Sequence, residues 1–215
     1  RSTLFPYTTL FRSRTGTLRT ERTLSSFDVG VNFGIRGLGN SSEEFYFKRF
    51  SGTPNKGQPN YYYLSGSVRH ERPLFLGMSV FGQLAGQYTP QTLISNEQFS
   101  IGGADSVRGY LESDEMGDYG VRGNLELRMP MPRNWLADQL EKFYLFGFFD
   151  AGVVAIQYPL DQQTRRTDLS SAGVGLRLAG FGGLEADLDW AYPLTESGDT
   201  QEGDSRIHFR VRVGF

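Results

Sequence analysis

Near the end of the chain, Ile207, Phe209, Val211, Val213 and Phe215 alternate without a break with His208, Arg210, Arg212 and Gly214. A period of two sends successive side chains to opposite faces of a strand, so this segment presents one apolar face and one cationic face. A strand of a soluble sandwich can alternate, but it rarely carries three basic positions in succession on its second face. A wall with lipid on one side and water on the other satisfies both faces. On the lipid side each Arg would cost roughly 2–4 kcal/mol near the midplane, so the basic row must line a watery lumen.

The same period recurs upstream and yields eight strands. Phe27, Val29, Val31, Phe33 and Ile35 oppose Asp28, Gly30, Asn32, Gly34 and Arg36 in the first. Tyr62, Leu64, Gly66 and Val68 oppose Ser65, Ser67 and Arg69 in the second, with a tight turn expected over His70 to Pro73. Leu74, Leu76, Met78, Val80, Leu84 and Tyr88 share a face of the third, and Val121, Leu125, Leu127 and Met129 a face of the fourth, against Arg122, Asn124, Glu126 and Arg128. Trp135, Leu136 and Leu140 are candidates for one short helical turn. The fifth strand, about Phe143 to Ile156, is aromatic on both faces, so hydropathy leaves its orientation open. In the sixth, Ala172, Val174, Leu176 and Leu178 oppose Ser171, Gly173, Gly175 and Arg177. In the seventh, Leu184, Ala186, Leu188, Trp190 and Tyr192 oppose Glu185, Asp187 and Asp189, and the eighth is the terminal one. Connections are short after the second, fourth and sixth strands and long after the others, the asymmetry of an outer-membrane barrel. Tyr88, Trp190 and Tyr192 fit an interfacial aromatic girdle. Glu185, Asp187 and Asp189 are expected to meet Arg206, His208, Arg210 and Arg212 across the last hairpin, as opposed charge rows on the lumen side.

Composition narrows the function. With 22 Lys+Arg against 24 Asp+Glu there is no excess of positive charge for a nucleic-acid backbone. The absence of Cys excludes disulfides, thiolate catalysis and Cys-ligated zinc, leaving His70 and His208 as the imidazole ligands. Neither shows Ser-His-acid spacing, so no enzymatic role, metal or cofactor is expected. Gly34, Gly37 and Gly39 follow a strand but precede no helical pattern, which argues against a dinucleotide fingerprint. No apolar run approaches the roughly 20 residues of a spanning helix, a statement that leaves β-barrels untouched.

The long segment after the third strand reads Ser95-Asn96-Glu97-Gln98-Phe99-Ser100-Ile101-Gly102-Gly103-Ala104-Asp105-Ser106-Val107-Arg108-Gly109-Tyr110. It resembles the sixth-loop signature of the outer-membrane assembly and secretion superfamily. Its full spelling is most similar to the TpsB transporters of two-partner (type V) secretion, the haemolysin secretion/activation (ShlB/FhaC/HecB) family. Phe148-Phe149-Asp150-Ala151-Gly152 resembles that family's Phe-x-Asp-x-Gly motif on a barrel strand, and the terminal strand resembles the C-terminal signature of outer-membrane proteins, with Phe215 as part of the assembly signal. The resemblance implies an all-β, antiparallel transmembrane β-barrel in the outer membrane of a Gram-negative bacterium, this chain supplying about eight C-terminal strands of sixteen. It implies as partners a secreted TpsA-type exoprotein, outer-membrane lipid and the barrel assembly machinery, with the client passing unfolded through the lumen. The alternatives are an assembly insertase of the same superfamily and a closed, structural eight-stranded barrel.

Residues 1–13 resemble translated sequencing-adapter read-through and are expected to be non-native, with 14–22 a linker and 23–215 the barrel part carrying a motif loop at 91–118. Gly102, Gly103, Val107, Arg108, Gly109 and Tyr110 on the loop, and Phe148, Asp150 and Gly152 on the wall, are the candidate site. If Asp150 faces the lumen, so do Phe148 and Gly152, while Leu145, Phe149, Ala151 and Val153 meet lipid. Arg108 is then expected to fold back into the lumen and hold Asp150 in a bidentate grip. A sheet with two unpaired edges is expected to stand open or close as a small barrel.

Overall fold

The computed structural model describes residues 9–20, 23–34, 60–131, 140–198 and 200–214. In chain order its strands are β1 (Thr9–Arg19), β2 (Leu24–Gly34), β3 (Tyr61–Pro73), β4 (Ser79–Tyr88), β5 (Phe99–Ile101), β6 (Glu115–Gly117), β7 (Tyr119–Pro130), β8 (Leu140–Ala155), β9 (Arg166–Gly180), β10 (Leu184–Pro193) and β11 (Arg206–Val213). Nine of them form one antiparallel sheet in the order β1-β2-β3-β4-β7-β8-β9-β10-β11, while β5 and β6 pair only with each other, inside the long β4–β7 connection. The wall sheet is not closed: among the described residues β1 and β11 are its two edges. The eight strands read from the sequence are present as β2, β3, β4, β7, β8, β9, β10 and β11, with β1 as a ninth, and among the described residues the sheet is not a closed eight-stranded barrel.

The alternation sorts the faces as expected. Phe27, Val29, Phe33, Leu125, Leu127, Leu188, Trp190, Ile207, Phe209, Val211 and Val213 are exposed on the outward side, Phe209 by 79%, while Val31 is half-buried there. Arg210 and Arg212 point the other way, directly across from Asp187 and Glu185. Tyr62, Tyr88, Trp190 and Tyr192 are all exposed near the ends of their strands that lead into the long connections. Ile35 and Phe215 lie outside the described residues.

Several expectations are corrected. Residues 14–19, expected to be linker, belong to β1, which begins at Thr9 and pairs with β2 over its full length. Its side chains do not follow the pattern of the other walls, because Arg12 and Arg14 stand opposite Val31 and Val29 on the outward face. His70 to Pro73 are part of β3, paired with β4, and the turn is a 3-10 segment at Phe75–Gly77. Leu74 and Leu76 are thus turn residues, Leu76 at positive φ, and not part of the β4 face. Leu140 is buried as the first residue of β8 and not helical, while Trp135 and Leu136 lie outside the described residues.

The core sits between the inner wall and the β4–β7 loop. Ile101, Val107 and Tyr110 from the loop pack with Val154 of β8 and Leu169 of β9, and Phe99 closes the cluster. Leu93 and Ile94 pack against Tyr61 and Tyr63, and Phe146 and Phe148 against Ala191. The inner face is thus polar in part and apolar where the loop covers it. β8 is aromatic on both sides because its outer side belongs to the apolar outward face and its inner side carries a loop.

Candidate functional site

The loop reaches the inner face of the wall through glycine geometry. Gly102 and Gly103 both have φ near +100°, and a Cβ at Gly102 would lie 2.7 Å from the Leu111 carbonyl oxygen, while one at Gly103 would run into the Glu112 carboxylate. Gly103 donates its N–H to the Val107 carbonyl at 3.1 Å, and Ser106 donates to that of Gly103 at 3.1 Å. This tight turn points Val107 and Arg108 at the wall. Asn124 of β7 donates to the Ser106 carbonyl at 2.6 Å.

Arg108 is 3% exposed and Asp150 is fully buried. The guanidinium donates from Nε to Asp150 Oδ2 at 2.6 Å and from Nη2 to Oδ1 at 2.8 Å, a bidentate grip, and the Arg108 backbone N–H adds a third bond to Oδ2 at 3.2 Å. Below it lies the Phe148 ring, 3.6 Å from Cζ, in cation–π contact. At Gly152 an added Cβ would come within 2.9 Å of Ile101 and 3.2 Å of Val107, so the missing side chain makes room for the loop. The three positions of the wall motif therefore divide the physical work, with Phe148 as platform, Asp150 as acceptor and Gly152 as clearance.

The third guanidinium nitrogen, Nη1, reaches Glu126 Oε1 at 3.0 Å and lies 3.8 Å from Asp189 Oδ1. Both carboxylates carry a wall arginine of their own: Arg128 donates to Glu126 Oε2 at 2.8 and 2.9 Å, and Arg177 donates to Asp189 at 2.6 and 3.0 Å. Arg128 also reaches Glu71 at 3.3 Å and Arg177 reaches Asp187 at 3.3 Å. Burial by itself would lower the Arg108 pKa. The hydrogen bonds and charge of Asp150, then the charges of Glu126 and Asp189, outweigh it, so the guanidinium's pKa is raised above its ordinary value.

Gly109, at φ +96°, sits so close to Pro193 and Ala191 that a Cβ would be 3.3 Å from the proline ring. Its N–H donates to His208 Nε2 at 3.0 Å, and Arg206 donates to its carbonyl at 3.4 Å. Tyr110 is fully buried, its hydroxyl 2.8 Å from the carbonyl oxygens of both Ser170 and Thr195. Asp118 clamps the return of the loop, accepting from the Leu93 N–H at 2.9 Å and the Gln157 N–H at 2.8 Å.

The charge rows of β10 and β11 are in the expected register, Glu185 with Arg212, Asp187 with Arg210 and Asp189 with His208. Their ion pairing differs from the expectation. Arg177 of β9 takes Asp187 and Asp189, Arg210 pairs with Asp105 of the loop at 2.6 Å, and among the described residues the ion pair left between the rows is Arg212 to Glu185 at 3.7 Å, both exposed. Arg206, His208 and Arg210 thus seat the loop more than they answer β10. The sequence reading missed Glu126, Arg128 and Arg177 as members of the site, although alternation had already turned them inward. Asp118 carried no signal beyond its place near the end of the loop.

In comparisons with known proteins, the model of the family described as haemolysin secretion/activation protein ShlB/FhaC/HecB matches residues 10–178. The outer membrane transporter CdiB of Dickeya dadantii (strain 3937) is 32% identical over 194 residues, covering 89% of this chain and 32% of its own length. Among solved structures, CdiB from Escherichia coli superposes with a TM-score of 0.76 at 19% identity, over 97% of this chain and 37% of that one. CdiB from Acinetobacter baumannii gives 0.66 at 20%, over 94% and 32%. The chain spans about a third of the length of the relatives it matches.

Proposed function

We propose, from the premise that this chain belongs to the haemolysin secretion/activation (ShlB/FhaC/HecB) family of outer-membrane transporters of Gram-negative bacteria, that the full-length protein exports a large unfolded partner protein through its barrel lumen. The partner is a TpsA-type exoprotein, and the route is two-partner secretion. The observation that carries the reading is the motif loop folded back onto the inner face of the wall and clamped there, Arg108 on Asp150, while the outward face of the wall is apolar and exposed. A loop held at the inner wall occupies the space a client would cross, and a clamp of charge-assisted bonds can open and reclose without covalent change. Transport is non-enzymatic in this reading, needs no cofactor, and uses the energy of client folding outside. We read export and not barrel assembly as the activity because the similar proteins named above are transporters.

The experiment is secretion of a partner exoprotein by the full-length protein carrying Arg108→Ala, Asp150→Ala, or the charge-swapped pair, with barrel insertion measured in parallel. Both single variants are expected to insert and to secrete poorly. Normal secretion by both would overturn the role given to the clamp.

A further inference from the structure

A shallow groove of about 420 Å³ runs along the outward face where β3, β4, β7 and β8 lie side by side. Its floor is Gly82 and Gly123, and Val68, Leu84, Leu125 and Phe149 line it. Neither glycine is required by its backbone conformation or by close packing. Both have ordinary extended backbone, a Cβ built on Gly82 meets nothing within 4 Å, and one on Gly123 keeps ordinary contacts of 3.5 Å. The room they leave is open on the outward face.

The lower end of the groove is polar. His70 lies across from Gly82 and hydrogen-bonds Ser25 through Nδ1 at 2.8 Å, and Arg72, on the same face one step further, is exposed with no ion-pair partner among the described residues. Arg72 follows Tyr62 of the outer girdle by ten positions on β3. At about 3.3 Å per residue and a tilt of about 40° that is a descent of about 25 Å, the height of the apolar band. Arg72 therefore stands at headgroup level beside the short β3–β4 turn, on the periplasmic side.

We propose that this groove is a binding site for one anionic phospholipid of the inner leaflet, an acyl chain lying over Gly82 and Gly123 and the phosphate held by Arg72, with His70 beside it. Charge complementarity at the lower end and the unneeded space above it select this occupant. The proposal rests on the membrane placement of the outward face, and lipid retention is a readout separate from secretion.

The test is native mass spectrometry of the full-length protein titrated with phosphatidylglycerol, comparing wild type with Gly82→Leu, Arg72→Gln and, as an outward-face control, Val174→Leu. Heat-modifiable migration reports folding. Arg72→Gln is expected to weaken the tightest phosphatidylglycerol site about fivefold, the worth of one basic residue at a lipid surface. Gly82→Leu, which fills the groove, is expected to abolish that site, and the control to leave it unchanged. Unchanged affinity in a folded Gly82→Leu or in Arg72→Gln overturns the proposal, and so does equal retention of a phosphate-free diacylglycerol by the wild type. Arg72→Gln alters a surface side chain only and keeps the test decisive if Gly82→Leu does not insert.

Discussion

Removing the two halves of the clamp should not be equivalent. Asp150 is fully buried, and among the described residues Arg108 is the cation that answers it. Arg108→Ala strands that carboxylate with a single backbone N–H, a loss of about 3–5 kcal/mol for a shielded charge. Asp150→Ala removes the two guanidinium bonds and the backbone N–H bond, yet leaves the guanidinium with Glu126 at 3.0 Å, Asp189 at 3.8 Å and the Phe148 ring beneath. That loss should be smaller, about 2–3 kcal/mol. In the double variant no stranded carboxylate remains, so part of the Arg108→Ala loss is recovered and the two effects do not add. Hydrogen exchange of the 99–117 amides in the full-length, detergent-folded protein reads the opening free energy directly. The larger loss corresponds to exchange faster by about two to three and a half orders of magnitude. If Asp150→Ala opened the loop as far as Arg108→Ala, or if the double variant equalled the sum of the singles, the sharing of Arg108 among three carboxylates would be refuted.

Gly152→Val should push Val107 and Ile101 off the wall at a cost of about 1–3 kcal/mol, seen as protease sensitivity of the loop with the barrel still inserted. Tyr110→Phe removes the hydroxyl that bridges Ser170 and Thr195 and should destabilise the loop by about 1–2 kcal/mol in the same exchange experiment. Asp105→Ala breaks an ion pair whose carboxylate is 77% exposed, so loop exchange should change by less than about fivefold. Val211→Arg, placing a charge on the outward face of β11, should lower barrel stability in urea by about 2–4 kcal/mol, whereas Arg210→Lys on the other face should leave it within about 0.5 kcal/mol.

The faces of β2, β7, β9, β10 and β11 were legible because one medium on each side enforces a strict period, and the grip of Arg108 on Asp150 followed from two motifs and parity. What parity does not carry is the register between neighbouring strands. Glu126 reaches Arg108 only because β7 and β8 align Glu126 with Phe148, one step from Asp150. Arg177 wins Asp187 and Asp189 from β11 because β9 also flanks β10, aligning Arg177 with Asp187, and Arg210 has a loop carboxylate within reach. The orientation of β8 was hidden for a different reason. Hydropathy cannot tell aromatics that meet lipid from aromatics that meet a folded-in loop. The end of β3 was misread because Pro73 closes a strand as readily as it opens a turn.

The contacts that β11 makes with the loop also bear on the order of events during folding. Gly109 meets His208 across 99 positions and Asp105 meets Arg210 across 105, whereas each wall strand pairs with its neighbour through much more local closures. Contacts of such separation form late, after the intervening hairpins have been laid down. A nascent wall lacking β11 thus holds a loop gripped by Asp150 and, through Tyr110, by Ser170 and Thr195, but without the bonds of His208 to Gly109 and of Arg210 to Asp105. Docking of β11 tightens the loop as it extends the wall, so a wall stalled before β11 would betray itself by a loop that is more readily cleaved.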